Sequence, residues 1–263
     1  MSNVRVALWA ETLKARRSKV SLLSAAAFAI LPLVSGLFMV ILKDPEAARS
    51  MGLISMKSQL IAGAADWPTH FEILLQGMAI AGSILFAFVT AWIFGREFAD
   101  HTVKELLALP TPRGSIVAAK FVVLALWVLV LTLMVYLLGL GVGALVEIPG
   151  WSLELAWSSF GSLMLIALLD FMLMPLVALF ASAGRGYLPA LGWAFFTLIL
   201  AQILSVLGWG DWLPWSVPVL ASGMAGPGSA GQIGIHSYLL VLLTFILGIG
   251  ATLTWWLRAD HSR

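Results

Sequence analysis

Six stretches of this 263-residue chain are apolar for long enough to cross a lipid bilayer as helices, and that constrains the fold more than any other feature. A hydrocarbon core about 30 Å thick takes roughly 20 apolar residues at helical rise. The runs are Val20–Leu42, Ile73–Phe94, Ile116–Val146, Leu155–Ala183, Tyr187–Leu207 and Tyr238–Leu257. In lipid every backbone N–H and C=O must be bonded within the chain, which leaves helices or a closed barrel. Barrel strands alternate over about ten residues, and these runs do not. Composition agrees: 61% of the residues are hydrophobic and 11% charged, against about 25% charged in a soluble domain. Soluble enzymes, disordered chains and fibrous chains are thereby excluded. The absence of cysteine excludes disulfides, thiolate metal sites and thiol catalysis. A net charge of +2 is too small to suggest a nucleic-acid partner.

The third and fourth runs exceed one straight crossing, so tilt or a break is expected. Gly139, Gly141 and Gly143 mark one candidate break, Pro175 another, and Pro32 should kink the first helix. Arg5, Lys14, Arg16, Arg17 and Lys19 precede an apolar stretch far longer than a signal-peptide core, so the first helix is read as retained. With six crossings, twelve Lys and Arg fall on one side of the membrane. The other side receives only Lys43, Arg49 and Lys57. The positive-inside rule then puts both termini in the cytoplasm. The predicted outer loops carry Trp67, Trp151, Trp209, Trp212 and Trp215, which suit a headgroup-level aromatic belt. No polar stretch is long enough to fold alone, so residues 1–263 form one integral domain.

Several motifs carry no chemistry here. Gly226-Pro-Gly-Ser-Ala-Gly231 spells G-x-G-x-x-G, yet it sits in a predicted loop without the strand and helix a dinucleotide site requires. No phosphate-binding G-x-x-x-x-G-K-[ST] is present, and His70, His101, His236 and His261 have no metal-ligand spacing. Glu97, His101 and Glu105 share a helical face that reads as solvated. Gly139-Leu-Gly-Val-Gly143 contains G-x-x-x-G, read as helix packing in preference to a dimer seam.

The informative segment is Phe94–Lys120, between the second and third crossings. Val103, Leu106 and Leu107 give it a short amphipathic helix; Asp100 or Thr102 can cap it, and Pro110 with Pro112 ends it. Its apolar face suits either docking into a partner's groove or lying on lipid headgroups. Glu97, Thr102, Leu106, Leu107, Pro110, Arg113 and Lys120 together resemble the loop that marks ABC transporter permeases of the type-2 exporter class, including bacterial drug-, bacitracin- and lantibiotic-resistance permeases. Many members of that class have Gly where His101 stands. The basic N-terminus and the Pro- and Trp-rich Trp212–Pro218 before the last helix are similar to that class too.

The resemblance implies an all-α integral membrane protein, a six-helix bundle whose 95–120 loop is a cytoplasmic coupling helix. It implies a multi-pass subunit of the bacterial inner membrane, paired with a second permease copy or a relative. This chain binds no cofactor in that reading: a separate ATP-binding-cassette subunit holds ATP and Mg and drives export. Residues 4–19 correspond to an interfacial elbow helix, although Leu8 and Val4 fall among its charges on a helical wheel. The alternatives are an ion-coupled secondary transporter using Asp170, or a non-transporting structural or sensory membrane protein. Asp170 lies near the middle of the fourth run, where an ionised carboxylate is costly. It is expected either to bond Thr132, Tyr136 or Gln202 structurally or to belong to the translocation path.

Overall fold

The computed structural model describes residues 3–44, 64–108, 110–224, 226, 231 and 233–258. Arg49, Lys57, His261, Arg263 and most of the Gly226–Gly231 string fall outside them. The helices are α1 (Asn3–Arg17), α2 (Lys19–Lys43), α3 (Trp67–Ala99), α4 (Val103–Leu107), α5 (Arg113–Val146), α6 (Leu153–Ala183), α7 (Tyr187–Val206), α8 (Val217–Ala221) and α9 (Ile235–Arg258). No strand occurs among the described residues. The six long ones, α2, α3, α5, α6, α7 and α9, are apolar enough to cross a membrane, one for each apolar run. Helix α3 starts at Trp67, ahead of its run, because the Asp66 side chain accepts the Thr69 amide at 3.0 Å and Pro68 opens the first turn.

Two cross-links set the relative directions of α2, α5 and α9. The Lys43 ammonium donates to the Val146 carbonyl at 3.0 Å, joining the ends of α2 and α5. The Arg113 guanidinium donates to the Trp256 carbonyl at 3.2 Å, joining the start of α5 to the end of α9. Helix α6 is the hub, packed against α3, α7 and α9, while α5 packs on α1 and α2.

The expected breaks in the third and fourth runs are not breaks. Helix α5 runs unbroken through its glycines, which are contact points instead. A Cβ on Gly143 would lie 2.5 Å from the Trp67 ring, and one on Gly139 would lie 2.6 Å from Leu74. Between them, the His70 ring meets the Gly139 carbonyl at 3.0 Å and the Ser35 hydroxyl at 2.8 Å. Trp67, His70 and Leu74 thus form one stripe of α3 seated on the G-x-x-x-G of α5, so that motif packs within the chain. This corrects the placement of Trp67 in the aromatic belt, since it is buried at 4% exposure. Trp151, Trp209 and Trp212 do remain exposed. Helix α6 likewise runs through Pro175, whose ring packs on Gly248 of α9 and whose carbonyl accepts the Thr252 hydroxyl at 3.0 Å.

The Pro- and Trp-rich outer segment folds back onto the bundle. After two short 3₁₀ turns, Val217, Val219 and Leu220 of α8 are buried. The Ser216 hydroxyl donates to the Ala201 carbonyl at 3.2 Å.

The glycine contacts make an internal control. Gly143→Ala and Gly139→Ala should lower thermal stability by about 1–3 kcal/mol through overpacking. A Cβ on Gly141 meets nothing within 4 Å, so Gly141→Ala should be neutral or gain up to about 1 kcal/mol in helix propensity. Melting of the three purified variants in one detergent checks this, and equal effects at all three positions would refute the packing account.

Candidate coupling site and its buried ion cluster

The segment between α3 and α5 is shaped by backbone bonds. Helix α3 closes with the Asp100 amide on the Arg96 carbonyl at 2.8 Å, and the Thr102 amide returns to the Glu97 carbonyl at 2.9 Å. Between them His101 adopts φ +58°, in the left-handed region. That explains why glycine suits this position, since a Cβ there costs about 1–2 kcal/mol. Thr102 occupies the N-cap of α4, and no side chain caps that helix. Asp100 instead lies 3.4 Å from Arg96. No residue of α4 is fully buried; Val103, Leu106 and Leu107 are half-buried against the chain's own core, while Lys104 and Glu105 are exposed.

The seven residues of the loop motif therefore divide. Thr102 and Pro110 are exposed, and Leu106, Leu107 and Arg113 are half-buried. Glu97 and Lys120 turn inward. The Lys120 ammonium, wholly shielded from solvent, lies 2.8 and 3.0 Å from the two Glu97 oxygens, 3.3 Å from Glu11 and 2.7 Å from the Ile93 carbonyl. Lys14 completes the group, 2.6 Å from Glu11 and 3.0 Å from Glu97. Two acids and two bases thus fasten α1, α3 and α5 at the basic end of the bundle. Burial pushes the Lys14 ammonium down, but the Glu97 and Glu11 carboxylates outweigh it and hold its pKa above the usual 10.5. Its stabilising share is therefore complete below pH 10.5 and is lost only as pH rises through the folded value.

Glu11 and Lys14 escape a hydrophobicity-based reading of the first helix. The inward stripe of α1 is Ala7, Glu11 and Ala15, whereas Val4, Val6 and Trp9 are exposed. The available signal was the i, i+4, i+8 spacing of two small residues around an acid, a stripe that makes sense only with a buried cation opposite.

Asp170 is fully buried in α6 and accepts the Ser83 hydroxyl of α3. Ser83 follows a single π turn, Met78–Gly82. None of the three expected partners bonds it: the Thr132 hydroxyl donates to Val128 at 2.8 Å, the Tyr136 hydroxyl donates to Ala156 at 2.9 Å, and Gln202 makes no bond to it. The second oxygen, Oδ2, has no hydrogen-bond partner. No group of His, Asp and Glu among the described residues could hold a metal ion.

The fold is a six-helix membrane bundle with a short helix between its second and third long helices, and comparison with known proteins supplies its class. Residues 7–201 match the ABC-2 family transporter proteins. The chain belongs to that family and is a transmembrane subunit of an ABC transporter. It is 30% identical over 197 residues to the bacitracin transport permease protein BCRB of Bacillus licheniformis, covering 73% of this chain and 91% of that one. This assignment displaces the ion-coupled reading.

Two outcomes follow from the geometry. Lys120→Met leaves buried carboxylates short of a cation and should cost about 3–5 kcal/mol, whereas Arg96→Gln removes a part-exposed pair worth about 0–1 kcal/mol. Melting and membrane yield compare the two, and parity between them would refute the cluster's role. His101→Gly relieves a left-handed side chain and should raise stability by about 1 kcal/mol; a lower melting temperature would count against the strain.

Proposed function

We propose that this chain is the permease subunit of an ATP-driven exporter, with α4 as the coupling helix that receives force from a separate ATP-binding subunit. The observation that carries this is the ion cluster directly behind the loop. The exposed Thr102 and Pro110, with the outer edges of Leu106 and Leu107, would meet the ATPase. Arg113 would anchor the start of α5 to α9. Glu97 and Lys120 would act one layer inward, converting displacement of α4 into joint movement of α1, α3 and α5. ATP and Mg belong to the partner in this reading. Two copies, or one with a related permease, complete the path in the bacterial inner membrane, with both termini cytoplasmic. Similarity to a bacitracin permease supports a peptide antibiotic as the cargo.

Thr102→Arg and Leu106→Asp should each weaken ATPase capture by roughly thirtyfold, about 2 kcal/mol at an interface hot spot, while the permease still inserts. Copurification and permease-stimulated ATP hydrolysis measure this, and unchanged capture in both would sink the coupling assignment. Thr102→Cys in this cysteine-free chain should react with an impermeant thiol reagent only after cells are permeabilised.

A second reading concerns Asp170 as a polar element of the translocation path, favoured by its unpartnered Oδ2 at membrane depth. In that case Asp170→Asn should fold and assemble but lose most transport. Normal transport by Asp170→Asn, with Asp170→Leu failing to assemble, would make the residue a structural link to Ser83.

A further inference from the structure

On the bilayer-facing side of α2, α3 and α7 lies a cleft of about 390 Å³, lined by Val20, Leu23, Ala27, Phe88, Val89 and Leu191 among others. Both Leu23 (65%) and Phe88 (45%) are exposed beside it, so it opens toward acyl chains. At its basic end it adjoins a second hollow of about 540 Å³, with Val20 and Trp92 in both linings. That hollow is walled by Lys14, Arg17, Lys19 and Arg96 together with Trp9. Both volumes fall in the range of small-molecule sites.

The charges of the second hollow are unequally committed. Lys14 is held by Glu11 and Glu97, and Arg96 is shared with Asp100 while stacking 5.1 Å from the Trp92 ring centroid. Arg17 and Lys19 are exposed, and no carboxylate among the described residues pairs with either. An apolar cleft that adjoins unpaired cations where α2 begins fits one shape of ligand, a molecule with a hydrocarbon tail and an anionic head.

We propose that the two hollows form one binding site for an anionic phospholipid, its acyl chain in the α2–α3–α7 cleft and its phosphate between Arg17, Lys19 and Arg96. Basic recesses at the ends of membrane helices hold anionic headgroups through charge attraction of this kind. A lipid seated there bridges the elbow helix and α7 across the end of α3. The site needs only the membrane disposition of the chain and is independent of the coupling role of α4.

Native mass spectrometry of the delipidated full-length protein, titrated with phosphatidylglycerol or phosphatidylcholine of identical chains, tests the assignment. The unaltered protein should retain phosphatidylglycerol preferentially. Arg17→Gln with Lys19→Gln should weaken phosphatidylglycerol by about 25-fold, near fivefold for each charge, and leave phosphatidylcholine unchanged. The pair Arg17→Lys with Lys19→Arg should restore the preference, which separates charge from misfolding. Ala27→Phe, filling the cleft, should weaken both lipids alike. Equal retention of the two lipids by the unaltered protein would overturn the proposal, as would a preference surviving the double neutralisation. Disulfide joining of two Leu23→Cys copies in membranes would also overturn it, because a second copy would then cover the cleft.

Discussion

The buried ammonium of Lys120 is the constraint on which the basic end of this bundle depends. An isolated charge taken out of water costs several kcal/mol, and an ion pair recovers that only where geometry is good and remaining donors are used. Lys120 meets those conditions with both oxygens of Glu97 and the Ile93 carbonyl, all within 3.0 Å. Glu11 and Lys14 then balance the pair. The four groups sum to zero charge and come from three helices, so none of α1, α3 and α5 can shift at this end without exposing a charge to lipid. That is a positional constraint more than a source of net stability, since ion pairs of this kind often gain little over apolar packing.

The opposite end is fastened by different means. There Trp67 and Leu74 press on Gly143 and Gly139, His70 bonds to α5 and α2, and Lys43 reaches the Val146 carbonyl. Close backbone approach plus short polar bonds is how helices associate where no hydrophobic drive separates them from lipid. Between the ends, α6 is joined to α3 by the Asp170–Ser83 bond and to α9 by the seat of Pro175 on Gly248 and the Thr252 hydroxyl on the Pro175 carbonyl.

This division also explains what the sequence made legible. The six crossings follow from run length, because burial in lipid demands about 20 apolar residues whatever the neighbours are. The glycines of α5 were visible as a motif, yet whether they break a helix or seat a neighbour depends on Trp67, which is distant in the chain and looks like a belt residue. Glu97 and Lys120 were singled out through family resemblance, but their inward turn was not legible. It depends on Glu11, 109 residues before Lys120, in a helix whose buried face is two alanines and an acid. Asp170 was legible as an oddity of the fourth run, while its partner was not, because the π turn at Met78–Gly82 sets the phase in which Ser83 meets α6.

The path from loop to cluster is short. The Thr102 amide bonds the Glu97 carbonyl, so the residue that begins α4 is tied by backbone to the residue whose carboxylate holds Lys120. Helix α4 buries none of its five residues fully and has little packing to resist a push from outside. A load on it, as the proposed function requires, would meet its first strong resistance at Glu97, where yielding would separate buried charges. Separation is costly, so under the proposed coupling role the load would pass to α5 through Lys120 and to α1 through Glu11 and Lys14. Helix α1 is joined to α2 by Ser18 and by the Ser21 hydroxyl on the Ala15 carbonyl, and the ion cluster ties it to α3 and α5 as well. Under the proposed function, a loop that is lightly packed in itself would act as a lever because the charges behind it cannot be parted cheaply.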